Sequence, residues 1–156
     1  ASFLKNDGRV WTTDKDGMIM ALLGMEIMAV MGKSALKMAG ESVEEFGNPK
    51  FGRIDAPCKK EQKQILKQMS AELITATSVD EDPITNIRTT SLYNDMPIDG
   101  VRVETDKGWF VARPSGTEDL YKIYGESYKG DLGLVALLTA GEEIVNAALN
   151  GTIEIE

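Results

Sequence analysis

The run Arg113-Pro114-Ser115-Gly116-Thr117-Glu118 gathers anion-binding chemistry into one short stretch. The guanidinium of Arg113 is a planar fork that matches two phosphate oxygens. Ser115 and Thr117 carry hydroxyl donors. Gly116 lets a backbone approach closely and turn its amides inward as an anion nest. Pro114 gives up an amide but stiffens the entry. Lys122, just beyond, is a second cation placed to reach back. The same residue types also build ordinary surface turns. Closely spaced donors with a cation on either side, in a chain of net charge −8, favour the anion seat.

A second run, Trp11-Thr12-Thr13-Asp14-Lys15-Asp16-Gly17, precedes a strongly apolar segment. Asp14, Asp16 and Gly17 have EF-hand spacing, but Thr12 then takes the first ligand position and Leu23 the closing glutamate position, so the calcium reading fails. A capped helix start or a substrate-facing loop remains. Lys15 at the positive end of a helix is locally unfavourable; Asp14, Asp16 or an anionic ligand would offset it. Cys58 lies between Pro57 and two lysines. Without histidine its nucleophilic reading is weak, and a small buried residue is the default. No Asp or Glu pair stands out for acid–base work.

Composition bounds what these residues can serve. The chain has 156 residues, enough for one domain or one domain plus part of another. With 17 Lys plus Arg against 25 Asp plus Glu, broad binding to nucleic acid or an anionic membrane is disfavoured, because phosphate affinity comes from basic clusters. There is no His, which removes imidazole chemistry. The single Cys excludes an internal disulfide and a Cys/His zinc site, and a reducing compartment is the natural expectation. No signal peptide opens the sequence, and a piece of a longer protein is expected.

The elements that must hold these runs follow from pattern. Met18 to Met31 is an apolar helix, with Asp16 as N-cap and Gly32 as stop. It is shorter than the about 20 apolar residues a bilayer needs and contains Glu26, so a helix packed on most sides is expected, its methionines (Met18, Met20, Met25, Met28, Met31) in a core. A second helix spans Ser34 to Phe46. Gly47-Asn48-Pro49 breaks the chain and marks a domain boundary or hinge. Beyond it come a strand from Lys50 to Asp55 and a helix from Lys59 to Met69 with Ile65, Leu66 and Met69 on one face. Lys59, Lys60, Glu61 and Lys63 are expected on its solvated side. A turn over Asp80–Pro83 leads to a weak strand over Ile84–Thr89. Val101, Val103 and Thr105 alternate with Arg102 and Glu104 as a half-buried strand. Asp106-Lys107-Gly108 is a hairpin loop, with Gly where φ above zero is wanted. Trp109–Ala112 returns, the polar loop follows, and Leu120–Ser127 is another strand. Leu132 to Leu149 is a long apolar-rich helix. This order predicts an α+β fold: a small antiparallel sheet with helices on one face, preceded by two helices.

Phe110 to Ser127, FVARPSGTEDLYKIYGES, resembles the phosphate-binding segment that closes the α-D-phosphohexomutases. Ala1 to Leu4, ASFL, and Val10 to Gly17, VWTTDKDG, resemble the bacterial phosphoglucomutase branch of that family. The two motifs stand in the right order, about a hundred residues apart. The resemblance implies four domains around one cleft, of which residues 1–47 are the end of domain three and 48–156 all of domain four. It implies interconversion of glucose 1-phosphate and glucose 6-phosphate in the cytoplasm. A phosphoserine donates its phosphoryl group, glucose 1,6-bisphosphate reorients, and the other phosphate returns. Mg²⁺ assists in the full-length enzyme, with ligands outside this chain.

Carried onto this sequence, the resemblance assigns Arg113, Ser115, Gly116 and Thr117 to the non-reacting phosphate of the sugar. Lys122 stands where many relatives place an Arg, keeping charge without the bidentate fork. Lys15 matches a cleft lysine that contacts substrate near the transferring group and assists proton movement. Glu118 belongs to the motif without a direct contact. The phosphoserine loop and the metal loop are missing, and the sugar-specificity loop would end just before Ala1, so the isolated chain is expected to be inactive. Its expected partners are a hexose phosphate and upstream domains of the same enzyme, with neither nucleic acid nor membrane. The rivals are another hexose specificity, phosphomannomutase or phosphoglucosamine mutase, and a non-catalytic phosphosugar-binding module. The closing Gly151–Glu156 run has no reading.

Overall fold

The computed structural model describes residues 2–151. Ala1 of the first motif, and all of the closing run after Gly151, lie outside the described residues. The chain divides into two compact units, Ala1–Gly47 and Asn48–Glu156.

The first unit opens with a hairpin that pattern reading missed. β1 (Ser2–Leu4) pairs antiparallel with β2 (Val10–Thr12), Phe3 opposite Trp11. Asp7 closes the turn by accepting from the Arg9 amide and guanidinium. α1 (Gly17–Met31) begins where the caps predict: Asp16 Oδ1 accepts from the Ile19 amide at 3.0 Å, and Gly32 ends the helix in the left-handed region. α2 (Ala35–Phe46) is capped by Ser34, whose Oγ accepts from the Lys37 amide.

The expected methionine core is not found within this unit. No residue of α1 is buried, and Met18 is 81% exposed. α1 is apolar around its whole circumference, and one short hairpin plus one amphipathic helix offer too little surface to enclose it.

The second unit is a six-stranded sheet in the order β3-β8-β7-β6-β5-β4, antiparallel at every pairing. The strands are β3 (Lys50–Pro57), β4 (Ser78–Val79), β5 (Asp82–Thr90), β6 (Pro97–Thr105), β7 (Gly108–Pro114) and β8 (Leu120–Ser127). α3 (Lys60–Lys67) and a 3-10 turn (Ala71–Leu73) connect β3 to β4, and α4 (Gly130–Asn150) follows β8. The α+β expectation holds. β4 and the first half of β6 were absent from it.

Alternation decides which face is covered. Val101, Val103, Phe110, Ala112 and Ile123 are fully buried, against Leu137, Ile144 and Val145 of α4 and Leu66 of α3. Helix and sheet approach closely: a Cβ on Gly141 would stand 2.7 Å from Ile123 Cγ2.

Two side-chain expectations are corrected. Ile65 is 43% exposed, because the inward line of α3 runs through Leu66 and Met69 and the residue before Leu66 lies a third of a turn away. Gly108 does not take a positive φ. It is glycine for want of space: a Cβ there would lie 2.5 Å from the Glu126 carbonyl oxygen and 2.6 Å from Leu137 Cδ1. The positive-φ turn is instead at Asp80 and Glu81, between β4 and β5. Lys129 pins it by donating to the Asp80 carbonyl and carboxylate at 2.5 and 2.6 Å.

Candidate functional site

β7 leaves the sheet at Pro114 and β8 re-enters at Leu120, with the loop Ser115–Asp119 between them. Arg113 and Lys122 are register partners on these strands. Cross-strand partners share a face, so both side chains project from the side opposite α4. Asp55 of β3 is the partner of Lys122 on its other side, which completes a row of three charged residues across the sheet.

The two cations are not equivalent. Lys122 Nζ donates to Glu118 Oε2 at 2.6 Å and stands 4.0 Å from Asp55 Oδ2. The hydrogen bond from Lys122 holds the Glu118 carboxyl below its usual range, and the same bond raises Lys122 above its own. Arg113 enters no ion pair among the described residues. Lys122 therefore reaches back as the sequence suggests, but to a carboxylate of the loop itself.

The loop is closed from within. The Ser115 amide donates to the Leu120 carbonyl at 2.8 Å, so this amide is not part of the expected anion nest. Ser115 Oγ accepts from the Glu118 amide at 3.3 Å. Accepting there leaves the hydroxyl proton to be donated outward. The amides of Gly116 and Thr117 have no partner among the described residues, and both residues are exposed. Gly116 has neither a positive φ nor any neighbour within 4 Å of an added Cβ. What glycine supplies at this position is a bare crest, not a backbone conformation.

α3 supplies supports that periodicity alone misplaces. Lys63 was expected in solvent, yet its side chain is only 15% exposed. Its Nζ donates to the Glu118 carbonyl at 2.5 Å and to Asp119 Oδ1 at 3.0 Å. The Cys58 amide donates to the Asp119 carbonyl at 3.0 Å. Lys59 and Lys60 remain exposed, as expected. Spacing of four puts Lys63 and Lys67 on one side of the helix, and pairing of β3 beside β8 turns that side towards the loop.

A cleft of about 370 Å³ opens in front of Arg113 and Lys122, with the Ser115–Glu118 crest along one side. Lys67, Asp99 and Tyr124 complete its wall. β6 presses close beneath: a Cβ on buried Gly100 would lie 2.3 Å from the Ala112 carbonyl oxygen and 2.6 Å from Arg113 Cβ. Cys58 is buried, and desolvation pushes its thiol up, away from nucleophilic chemistry. The arrangement is a set of cations, hydroxyls and amides that can hold an anion.

Of the residues singled out from sequence, the structure brings together Arg113, Ser115, Gly116, Thr117 and Lys122. Lys15 belongs to the other unit, exposed in the turn before α1. Among the described residues no group of three His, Cys, Asp or Glu could hold a metal ion. The Mg²⁺ that the resemblance implies thus has no fitting ligand set in the described part of this chain.

Comparison with known proteins bears on the whole arrangement. The family description "Phosphoglucomutase/phosphomannomutase, C-terminal domain" matches residues 54–133. A phosphoglucomutase of Komagataeibacter xylinus is 43% identical over 147 residues, 94% of this chain and 26% of that protein. A probable phosphoglucosamine mutase of Pyrococcus abyssi is 27% identical over 139 residues, 89% of this chain and 27% of that protein. One from Methanococcoides burtonii is 45% identical over 53 residues, 34% of this chain and 12% of that protein. The chain spans about a quarter of the length of the first two.

Proposed function

This chain belongs to the phosphoglucomutase/phosphomannomutase family through its C-terminal domain, and on that premise we propose that it is the phosphate-holding end of a phosphoglucomutase. Residues 1–47 are the close of the preceding domain and 48–156 the last domain. Upstream domains of the same enzyme supply the phosphoserine and the metal loop. The enzyme interconverts glucose 1-phosphate and glucose 6-phosphate through glucose 1,6-bisphosphate, in the cytoplasm, and this chain by itself is inactive.

The observation that carries the reading is the pairing of Arg113 with Lys122 across β7 and β8, under a loop whose Gly116 and Thr117 amides have no partner among the described residues. The non-reacting phosphate lies in the cleft in front of that pair. Arg113 binds two oxygens with its fork, Ser115 and Thr117 donate their hydroxyls, and the two free amides take the outer oxygen. Lys122 adds charge, partly countered by Glu118. Holding the distal phosphate fixes the sugar while its other end exchanges a phosphoryl group. Lys15, on the preceding domain, contacts the sugar near that end. Gly47 to Pro49 form the hinge on which the last domain closes over substrate.

Glucose is favoured over glucosamine or mannose by the 43% identity with a phosphoglucomutase across nearly the whole chain. Titration of the isotope-labelled chain with glucose 1-phosphate tests the site: saturable amide shifts at Gly116 and Thr117 are expected. Shifts confined to residues 1–47 or to Lys59 and Lys60 would refute it. Turnover of glucose, mannose and glucosamine phosphates by the enzyme with its upstream domains tests the sugar, and a preference for either of the latter two would reassign it.

A further inference from the structure

We propose that Lys67 is a third cation of the phosphate seat, held in reserve by Asp99 and released to the phosphate when it arrives; this rests on the phosphate reading above. Lys67 is the last residue of α3 and lines the cleft together with Arg113, Lys122 and the 115–118 crest. It also borders the groove on the α3 side of the same crest, so it flanks Gly116 and Thr117 from both directions. Its ammonium stands 3.4 Å from Asp99 Oδ2. That separation is longer than the 2.6 Å of Lys122 to Glu118, which makes Lys67 the easier cation to divert.

Asp99 is placed for this task by backbone as well as charge. It takes φ +55°, in the left-handed region that side chains other than Asn and Asp seldom occupy. Non-glycine residues held there cluster at ligand sites. The next residue, Gly100, is clamped against Arg113 by the close β6–β7 approach. The backbone of Asp99 is thereby set beside the cleft, and its carboxylate meets the lysine there at 3.4 Å.

Charge decides the exchange. Lys67, Arg113 and Lys122 face Asp99 and Glu118 around the cleft. Glu118 already engages Lys122, and among the described residues Arg113 has no carboxylate partner. A phosphate monoester dianion beside Arg113 offers Lys67 a doubly charged acceptor in place of a singly charged one. An empty seat keeps its spare cation ordered; a filled seat gains it.

The test is the dissociation constant of the full chain for glucose 1-phosphate, read from amide shifts. Lys67→Met is expected to weaken binding about fivefold, and Lys67→Arg to restore most of it. Asp99→Asn, which suits the left-handed backbone, is expected to tighten binding about two- to threefold, with that gain abolished in the Lys67→Met background. Unchanged binding in Lys67→Met, or an Asp99→Asn gain that survives without Lys67, overturns the proposal. Arg113→Ala is measured beside them. If it weakens binding while Lys67→Met does not, only the reserve-cation inference falls; if it too has no effect, the phosphate seat itself is wrong.

Discussion

Arg113 and Lys122 stand opposite one another on β7 and β8, yet among the described residues only Lys122 has a carboxylate partner, Glu118 at 2.6 Å. The asymmetry follows from the loop. It curls so that its own glutamate returns over the second cation and leaves the first open to the cleft.

Arg113 should therefore carry more of the binding than Lys122. In the enzyme with its upstream domains, Arg113→Ala is expected to lower kcat/KM by about 30- to 150-fold, the ~2–3 kcal/mol of a charge-assisted contact. Lys122→Ala should cost distinctly less. Steady-state kinetics on both variants check the order, and equal losses would contradict the asymmetry.

The Lys122–Glu118 tie has a defined pH window. Glu118 is lowered and Lys122 raised by their shared hydrogen bond. A lowered acid contributes above its unfolded-state pKa, and its contribution disappears as pH falls through the folded value. A raised base contributes below its unfolded-state pKa, and its contribution disappears as pH rises through the folded value. The tie thus persists between the ordinary carboxylate and ordinary lysine values and breaks only outside that span. An NMR titration should place the Glu118 midpoint below that of a free glutamate, and Lys122→Met should return it upward. A normal midpoint in the unaltered chain would show that the tie does not form.

Two glycines near the site should respond in opposite ways. Gly100→Ala drives a methyl into the Ala112 carbonyl and the Arg113 side chain, and a loss of about 1–3 kcal/mol is expected from such overpacking. Gly116→Ala meets open space at an ordinary φ, so its Tm should stay close to that of the parent while glucose 1-phosphate binding weakens. Thermal melts and binding isotherms on the two variants separate the roles. A destabilised Gly116→Ala would show that the crest is packed, not bare.

Cys58 should be inert. It is 3% exposed, and burial raises its thiol. Alkylation of the native chain should be slow and should accelerate sharply across the denaturant transition. Rapid labelling under native conditions would mean that the β3–α3 corner opens.

What was legible in the sequence was what is decided locally. Asp16 caps the helix that follows it, because a side-chain acceptor beside the first free amides works wherever the helix lies. Alternation through Val101 and Val103 and the strand over Leu120–Ser127 were readable because a two-residue period reports one covered face. So was the composition of the 113–117 loop. Tertiary structure decided what depends on partners remote in the chain. Lys63 meets Glu118 and Lys67 meets Asp99 because β3 pairs with β8 and carries α3 to the loop. Gly108 is needed because Glu126 and Leu137 arrive over it, not for its own φ. Ile65 faces outward while its neighbour Leu66 is fully buried, since a helix of this length shows its inward face only when the sheet is beneath it. Local sequence specifies donors, caps and periods; which of them confront one another is set by strand order, which no short window contains.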